Sequence, residues 1–515
     1  MRAHSKPGGA SRRLAAAAAV ISISLAGCAA AKATPSRAPS LTPAPIQCDD
    51  GPDAFTPMPA DCWIPTEPAP TPSPTPTARR TDPTISLPGL ATLPPVTPWH
   101  GKTFYAPPSG TGTMLIGLGS DDIVYVLLER ALPLPKPTPT SAFVVPDVAA
   151  SVIALRPDGS LKAGWPSAGV PVSGYPYSYR VNAAGTVFVA SGPNPFTSDQ
   201  LALKQLTVTA IGSDGKVLAG WPYLTPAAQQ SYDPDLLTTG PNDMVCFRQM
   251  KAGAKATASD YSMVAYCLGA DGKLLPGWPY ASPMSLSNIA VGPDGTVYMG
   301  KVTSTTASKV QPYTYPYQVI AIGPDGQPKP GWTAWSEPDV PALATILPTK
   351  DGRVYMLLGG DSGRAKLVSV DSKGKTISEH LELGSALTYA SYKDAVLTGD
   401  GRLFVAIEGG SVNLVNAYSA DGSQMAGWPQ LIGGWGDLAV GADGSVWVSW
   451  TLYGASGDQA DTSVVARFDK NGKLQPGYPM ASDMLSTLGL YYGLAVASDG
   501  TAFGTSGGRI MVMGR

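Results

Sequence analysis

Residues 292–298 read Gly-Pro-Asp-Gly-Thr-Val-Tyr, and residues 323–332 read Gly-Pro-Asp-Gly-Gln-Pro-Lys-Pro-Gly-Trp. In the first stretch, an Asp-Gly pair leads into a Val-aromatic segment. In the second, four residues separate an Asp-Gly pair from a Gly-Trp pair. Asp-Gly next to β-branched and aromatic residues is a strong β-hairpin signal, and we expect both turn residues to adopt positive φ. Each stretch therefore predicts one hairpin.

Both patterns recur along the chain at fixed internal spacing. Copies of the first pattern lie at 294–298, 351–355, 400–404, 443–447 and 499–503, with degenerate copies at 121–125, 185–188 and 242–246. Copies of the second pattern lie at 158–166, 214–222, 271–279, 325–332, 421–429 and 471–479. A seventh copy near Gly374 has Glu379, His380 and Leu381 in place of Gly-Trp-Pro. The two patterns alternate, so each repeat contains two hairpins.

Two hairpins per repeat make a four-stranded sheet, and such sheets arranged radially form a β-propeller. Seven repeats are complete, whereas the last has three evident strands, at 494–497, 501–504 and 509–513. The strand near 103–106 is expected to supply the fourth and close the ring. The sequence therefore predicts an all-β propeller of eight four-stranded blades over residues 99–515, with seven blades as the alternative.

The composition supports a turn-rich β protein. The 515 residues include 58 Gly and 51 Pro, and only 14% are charged. Gly and Pro are costly inside helices, which excludes helical bundles and coiled coils. The net charge of −2 gives no basic footprint for nucleic acid, so no nucleic-acid partner is expected.

The first 28 residues resemble a bacterial lipoprotein signal peptide. Arg12 and Arg13 precede an apolar run from Leu14 to Leu25, and the run ends in Ala26-Gly27-Cys28. The resemblance implies cleavage before Cys28 and lipid attachment to its sulfur. The alternative is an ordinary secretion signal. We expect an extracytoplasmic protein that contacts the membrane through this lipid anchor only.

Residues 29–98 are rich in Pro, Thr and Ser and are expected to form a disordered tether. Four cysteines follow Cys28, an even number that suits an oxidising compartment. We predict two disulfides. Cys48 and Cys62 would close a small loop in the tether, for which a calcium loop is the alternative interpretation. Cys246 and Cys267 would join adjacent strands of one blade.

The pattern at 292–298 resembles the repeats of NHL-type and of gluconolactonase or streptogramin-lyase-type propellers. The pattern at 321–332 resembles quinoprotein-type repeats and the Gly-Trp-Pro strands of FG-GAP-like proteins. These resemblances imply a shared scaffold. The adjacent Cys-Cys pair of quinoprotein dehydrogenases has no counterpart in this chain, so no cofactor is predicted.

Residues suited to catalysis are scarce. Beyond the leader only His100 and His380 remain, which excludes a metal site with several His ligands. Gly360-Asp361-Ser362-Gly363 spells the string around a serine-protease nucleophile, but a Gly-rich loop between strands is the favoured interpretation. No catalytic residue and no metal ligand is predicted.

In a four-stranded blade, the first and third turns lie on one face of the ring, and here both are short. The second turns and the crossovers lie on the other face and are long. A set of tyrosines is expected on this second face as a binding surface: Tyr175, Tyr177, Tyr179, Tyr223, Tyr280, Tyr313, Tyr315, Tyr317, Tyr491 and Tyr492. The alternative is that Tyr-Pro pairs only stiffen the crossovers.

The leading hypothesis is a non-enzymatic, lipid-anchored propeller that binds a protein or glycan of the cell envelope through its long loops. The second hypothesis is an extracytoplasmic, metal-dependent enzyme of lactonase or lyase type. Such an enzyme would use acidic residues in the central channel.

Overall fold

The computed structural model describes residues 94–99, 102–132, 147–194, 205–227, 237–251, 262–283, 285–303, 315–340, 343–359, 365–381, 391–409, 412–434, 436–452, 462–482, 493–506 and 508–514. The leader, Cys28, the Cys48–Cys62 pair and nearly all of the tether lie outside these ranges. So do His100 and the Gly-Asp-Ser-Gly string at 360–363. Within the described residues the regular secondary structure consists of β-strands. These residues contain no helix that is long and apolar enough to span a membrane.

The strands form eight sheets, which we number as blades in chain order. Blade 1 contains β3 (Thr111–Leu118), β4 (Val124–Ala131), β5 (Val148–Leu155) and β6 (Val170–Val172). Blade 2 contains β7 (Tyr175–Val181), β8 (Val187–Gly192), β9 (Thr207–Ile211) and β10 (Tyr223–Leu224). Blade 3 contains β11 (Leu237–Thr239), β12 (Val245–Lys251), β13 (Ser262–Leu268) and β14 (Tyr280–Ser282). Blade 4 contains β15 (Leu286–Val291), β16 (Val297–Val302), β17 (Tyr315–Ile322) and β18 (Trp335–Val340).

The second half of the ring repeats this arrangement. Blade 5 contains β19 (Leu343–Pro348), β20 (Val354–Leu358), β21 (Lys366–Val370) and β22 (Thr376–Leu381). Blade 6 contains β23 (Ser391–Leu397), β24 (Leu403–Gly409), β25 (Val412–Tyr418) and β26 (Gln430–Ile432). Blade 7 contains β27 (Leu438–Val440), β28 (Val446–Leu452), β29 (Thr462–Phe468) and β30 (Met480–Ser482). Blade 8 contains β31 (Leu494–Val496), β32 (Ala502–Ser506), β33 (Arg509–Gly514) and β2 (Lys102–Tyr105).

The N-terminal strand closes the ring. Strand β2 pairs antiparallel with β33, with Thr103 opposite Met511, and completes blade 8. The first strand of each blade contacts the first strand of the next, and β31 of blade 8 contacts β3 of blade 1. These eight inner strands therefore surround a central channel. The prediction of an eight-bladed propeller closed by an N-terminal strand is confirmed.

A buried apolar cluster lies between every two neighbouring blades. The aromatic residue of the first sequence pattern belongs to these clusters. In blade 4, Tyr298 on β16 lies opposite Ala321 on β17, and its side chain packs with Val354 and Met356 of blade 5. The small partner leaves room for the ring, and the ring fills the space between the blades. The ring of blades is thus held together mainly by apolar burial.

The Asp-Gly turns differ from the expected geometry. Between β15 and β16, the Gly295 N–H donates to the Gly292 carbonyl at 2.9 Å, and Gly295 has φ of +80°. Asp294 does not have positive φ; its Oδ1 instead accepts the Thr296 N–H at 3.0 Å. The expectation that both turn residues have positive φ is therefore wrong for this turn. Both turn residues do have positive φ in blade 3, at Asn242 and Asp243.

The Gly-Trp-Pro segments of blades 1, 2 and 3 each bond to the next blade through the tryptophan Nε1, as Trp221 of blade 2 shows. Its buried ring packs edge-to-face on Phe188 of the same blade, with the centroids 5.8 Å apart. Its Nε1–H donates to the Ala270 carbonyl of blade 3 at 3.0 Å. Gly272 lies in the same turn as Ala270. If residue 272 carried a Cβ, that atom would lie only 2.6 Å from the Gly220 carbonyl oxygen of blade 2, so the close approach requires glycine. The Asp-Gly and Gly-Trp pairs thus meet across the blade boundary, which accounts for their fixed spacing.

Cys246 and Cys267 form a disulfide, as expected. They lie directly opposite each other on β12 and β13, with Cα atoms 4.2 Å apart, and both are fully buried. The pair occupies the register position that Tyr298 and Ala321 occupy in blade 4. The disulfide therefore replaces the pair of an aromatic and a small residue that blades 1, 2, 4, 5 and 6 have at this position.

Blade 7 carries a fifth strand that the repeats did not predict. Strand β1 (Thr97–Trp99) pairs in parallel with β30, with Thr97 opposite Met480. The Thr97 N–H donates to the Pro479 carbonyl at 3.0 Å, and its hydroxyl bonds to the Gly477 carbonyl at 3.1 Å. The chain therefore pairs first with blade 7 and then, through β2, with blade 8.

Candidate functional site

The two faces of the ring carry different kinds of connection. Because each blade is an antiparallel meander, its first and third turns lie on one face, which we call the short-turn face. The second turns and the crossovers emerge on the opposite face, the long-loop face. The longest second turns span 132–147, 193–206, 252–261, 303–314 and 453–461. Most residues of these turns lie outside the described ranges; the strand ends and the channel lie within them.

The tyrosines of blade 2 form part of an aromatic cluster at the boundary with blade 3. The rings of Tyr175 and Tyr177 lie 6.1 Å apart at the start of β7, and the Tyr177 hydroxyl donates to the Pro193 carbonyl. Tyr223 on β10 lies 6.4 Å from the rings of both Phe247 and Tyr266 of blade 3. Tyr177 is buried, whereas Tyr175 and Tyr223 are half-buried. The structure thus brings Tyr175, Tyr177 and Tyr223 together near the long-loop face.

The other predicted tyrosines are dispersed around the ring. Tyr280 begins β14 and is half-buried, and burial raises its pKa. Tyr315 and Tyr317 begin β17 in blade 4. Tyr179 lies farther along β7, where its hydroxyl is 3.5 Å from the Met114 Sδ of blade 1. The last three predicted tyrosines lie outside the described ranges: Tyr313, Tyr491 and Tyr492.

A cavity of about 400 Å³ lies in the central channel; we call it the axial cavity. It is lined by the inner strands of five consecutive blades, blades 2 to 6, together with Leu357 of β20. Seven of its thirteen lining residues are aliphatic. Six polar side chains line the remainder: Arg180, Thr238, Asn288, Thr345, Tyr392 and Asp394.

Two acidic residues in the channel wall join neighbouring blades. Asp394 on β23 accepts hydrogen bonds at 2.7 Å from the Ala395 N–H through Oδ1 and from the Leu438 N–H of blade 7 through Oδ2. Asp437 immediately precedes β27, and its Oδ2 accepts the Gly493 N–H of blade 8 at 3.1 Å. Burial, together with the charge of Asp394, raises the pKa of Asp437 to about 7. Within the described part of the chain, no three His, Cys, Asp or Glu residues are grouped so as to hold a metal ion.

The sequence patterns did not single out Arg180, Asn288, Asp394 or Asp437. The available signal was a recurrent polar position on the inner strand. Asn288, Asp394 and Asp437 each lie six residues before the Asp of the following Asp-Gly turn. Side-chain alternation alone does not reveal which of these polar residues meet across the channel.

The fold defines the protein as an eight-bladed β-propeller. Its sequence matches no model of a known protein family and no curated protein. Three solved structures with a similar fold are a periplasmic gluconolactonase from Pseudomonas aeruginosa, the Dos1 propeller and prolyl oligopeptidase B from Galerina marginata.

The likeness to these structures is distant. The gluconolactonase is 13% identical with a TM-score of 0.44, and the match covers 72% of this chain and 98% of that one. The Dos1 propeller is 9% identical with a TM-score of 0.43, and the match covers 81% of this chain and 96% of that one. The prolyl oligopeptidase is 11% identical with a TM-score of 0.42, and the match covers 76% of this chain and 54% of that one. This chain therefore spans about half the length of that enzyme. Identities this low say nothing about activity or ligand.

Proposed function

We propose that the protein is a non-enzymatic, lipid-anchored, extracytoplasmic propeller that binds a protein or glycan of the cell envelope at its long-loop face. The observation that carries this proposal is the position of the long second turns. Five of these turns are 9 to 16 residues long, and all of them emerge on one face of a ring held by apolar cores. Long loops on a rigid scaffold are a common construction for binding surfaces.

The half-buried tyrosines support the choice of this face. Tyr175, Tyr223 and Tyr280 each have part of their ring packed against a strand and part exposed. An aromatic ring held in this way presents contact area at a low cost in side-chain entropy. Part of a binding surface is therefore already ordered by the scaffold.

The proposed location rests on the leader and on the cysteines. The apolar run that ends in Cys28 resembles a lipoprotein signal, and the disulfide between Cys246 and Cys267 suits an oxidising compartment. Metabolic labelling with a radioactive fatty acid tests the anchor. The Cys28→Ser variant should lose both the label and its sedimentation with membranes, and retained label would contradict the anchor.

Site-specific photocrosslinking in producing cells tests the binding face. Two exposed apolar residues of blade 2 make a matched pair, because Leu224 lies at the long-loop end and Val217 follows a turn of the short-turn face. A photoreactive phenylalanine analogue at 224 should yield a discrete crosslinked envelope species, whereas the same analogue at 217 should not. Crosslinking from 217 alone, or equally from both positions, would place the partner elsewhere.

One observation favours the alternative, a metal-dependent lactonase or lyase. Asp394 and Asp437 lie in the channel wall close enough that the charge of one raises the pKa of the other. A carboxyl group with a pKa near neutrality is suited to proton transfer. Millimolar Ca²⁺ should then raise the thermal midpoint, a chelator should reverse the shift, and Asp394→Asn should abolish it. A ligand at a hundred times its dissociation constant adds about 2.7 kcal/mol, which is readily measured.

A further inference from the structure

The axial cavity is separate from the long-loop surface and has the features of a small-molecule site. We propose that it binds a small carboxylate that also carries hydroxyl or amino groups. Its volume of about 400 Å³ lies within the range of known small-molecule pockets, roughly 300–1,000 Å³. That volume suits a single sugar acid or amino acid and excludes a folded partner.

Arg180 supplies the charge that selects a carboxylate. It lies near the end of β7 and lines the cavity, and its Nη1 donates to the Tyr179 carbonyl at 2.9 Å. This bond fixes the guanidinium against its own strand. A guanidinium carries five donors in one plane and matches a carboxylate in a two-point contact. A ligand carboxylate would therefore bind on the blade 2 side of the cavity.

The opposite wall supplies acceptors. Asp394 lines this wall on blade 6, and a carboxylate oxygen is an acceptor for hydroxyl and ammonium groups. Asn288 and Thr345 add amide and hydroxyl groups on blades 4 and 5. A ligand with an anionic end and donor groups at its other end complements this arrangement.

Irregular pairing of the inner strands helps to place these side chains. The register of β15 against β16 shifts between Ser287 and Ile289, and the register of β23 against β24 shifts between Tyr392 and Asp394. Asn288 is the extra residue of the first bulge, and Asp394 is the first paired residue after the second. Bulges redirect side chains and are frequent beside functional sites. Comparable shifts occur on the inner strands of blades 1, 2 and 5, so the bulge belongs to the repeat, and the polar residue beside it is what distinguishes blades 4 and 6.

Calorimetric titration of the purified full-length protein tests the proposal. The probes are D-glucuronate, a sugar acid, and L-threonine, an amino acid; the methyl ester of each serves as the control without a carboxylate. At least one acid should bind saturably, and its ester at least tenfold more weakly. The acid that binds identifies which class the site takes. Failure of both acids to bind at 10 mM, or equal binding of acid and ester, would overturn the proposal.

Variants locate the binding in the cavity. Arg180→Gln and Asn288→Ala should each weaken binding of the acid at least tenfold, whereas Arg130→Gln, at an exposed arginine of blade 1, should leave it unchanged. If Arg180→Gln does not fold, Arg180→Lys keeps the charge and removes the two-point contact, and it should weaken binding of the acid more than of the ester. Undiminished binding to the folded Arg180 variant would refute the site. Because these variants leave the long loops intact, crosslinking from position 224 should persist, which separates this proposal from the proposed function.

Discussion

The carboxylate of Asp394 on β23 accepts the main-chain N–H of Leu438 on β27, with Oδ2 2.7 Å from the nitrogen. Leu438 immediately follows Asp437, whose own carboxylate accepts the Gly493 N–H of blade 8. Three successive inner strands are therefore linked by two side-chain acceptors. An inner strand has no neighbouring strand on its channel side, and these acidic residues satisfy backbone groups that would otherwise lack a partner.

Removing the Asp394 acceptor should destabilise the ring. Asp394→Ala leaves the N–H of the buried Leu438 without its partner, which costs about 1–3 kcal/mol. Asp394→Asn retains an amide oxygen as acceptor and should cost less. Equilibrium urea unfolding measures the difference, and Asp325→Asn, in an exposed turn, is the control. An Asp394→Ala protein as stable as the wild type would show that the bond contributes nothing.

Asp437 should make the fold less stable as the pH rises. Its pKa is raised to about 7 in the folded protein, above the ordinary value of 3.8, so the folded state holds the proton more tightly than the unfolded state. This contribution is fully present below about pH 4 and is lost as the pH rises through 7. The free energy of unfolding of Asp437→Asn should therefore fall less between pH 5 and 8 than that of the wild type.

Glu129 provides a second test of the same reasoning. Burial on β4 raises the pKa of Glu129 to about 7 as well. The free energy of unfolding of Glu129→Gln should therefore also fall less between pH 5 and 8 than that of the wild type. Among the wild type, Asp437→Asn, Glu129→Gln and the double variant that combines them, the double variant should show the smallest change in the free energy of unfolding with pH. Parallel profiles for all four would show that neither group titrates near neutrality in the folded state.

The Trp221 bridge should contribute strongly to stability. Trp221→Ala removes a buried ring between blades 2 and 3 and should cost about 3–5 kcal/mol. Trp221→Phe keeps a buried aromatic ring but removes part of the indole and the bond to the Ala270 carbonyl, and the bond alone is worth about 0.5–1.5 kcal/mol. Trp332→Phe is the matched comparison, because Nε1 of Trp332 bonds at 3.4 Å to Val319 in its own blade. Thermal unfolding should rank the losses as Trp221→Ala, Trp221→Phe and then Trp332→Phe.

The disulfide of blade 3 should be replaceable by the pair found in other blades. Cys246→Ala with Cys267→Ala removes a crosslink across 21 residues and should cost about 2–4 kcal/mol. Cys246→Tyr with Cys267→Ala recreates the Tyr298–Ala321 arrangement and should recover part of the loss. Chemical unfolding with and without reductant measures both variants, and reductant should affect only the wild type. A tyrosine variant less stable than the double alanine would mean that blade 3 has no room for the ring.

Much of the fold was predictable because it is encoded locally and repeated. Asp294-Gly295 and Gly331-Trp332 each mark a turn or a blade contact over a few residues, and their recurrence sets the number of blades. The Cys246–Cys267 pairing followed from strand adjacency within one repeat. The geometry of the Asp-Gly turn was missed because the Asp294 side chain bonds to the backbone and leaves only the glycine with positive φ.

The sequence by itself determined the repeat, the all-β architecture and the strand that closes the ring. The tertiary structure alone decided that Arg180, Asn288 and Asp394 meet around one cavity, and that Asp437 lies near Asp394. It also placed Thr97–Trp99 on the edge of blade 7. The physical reason is distance along the chain: hairpins depend on neighbouring residues, whereas the channel wall combines residues from separate blades that only ring closure brings together.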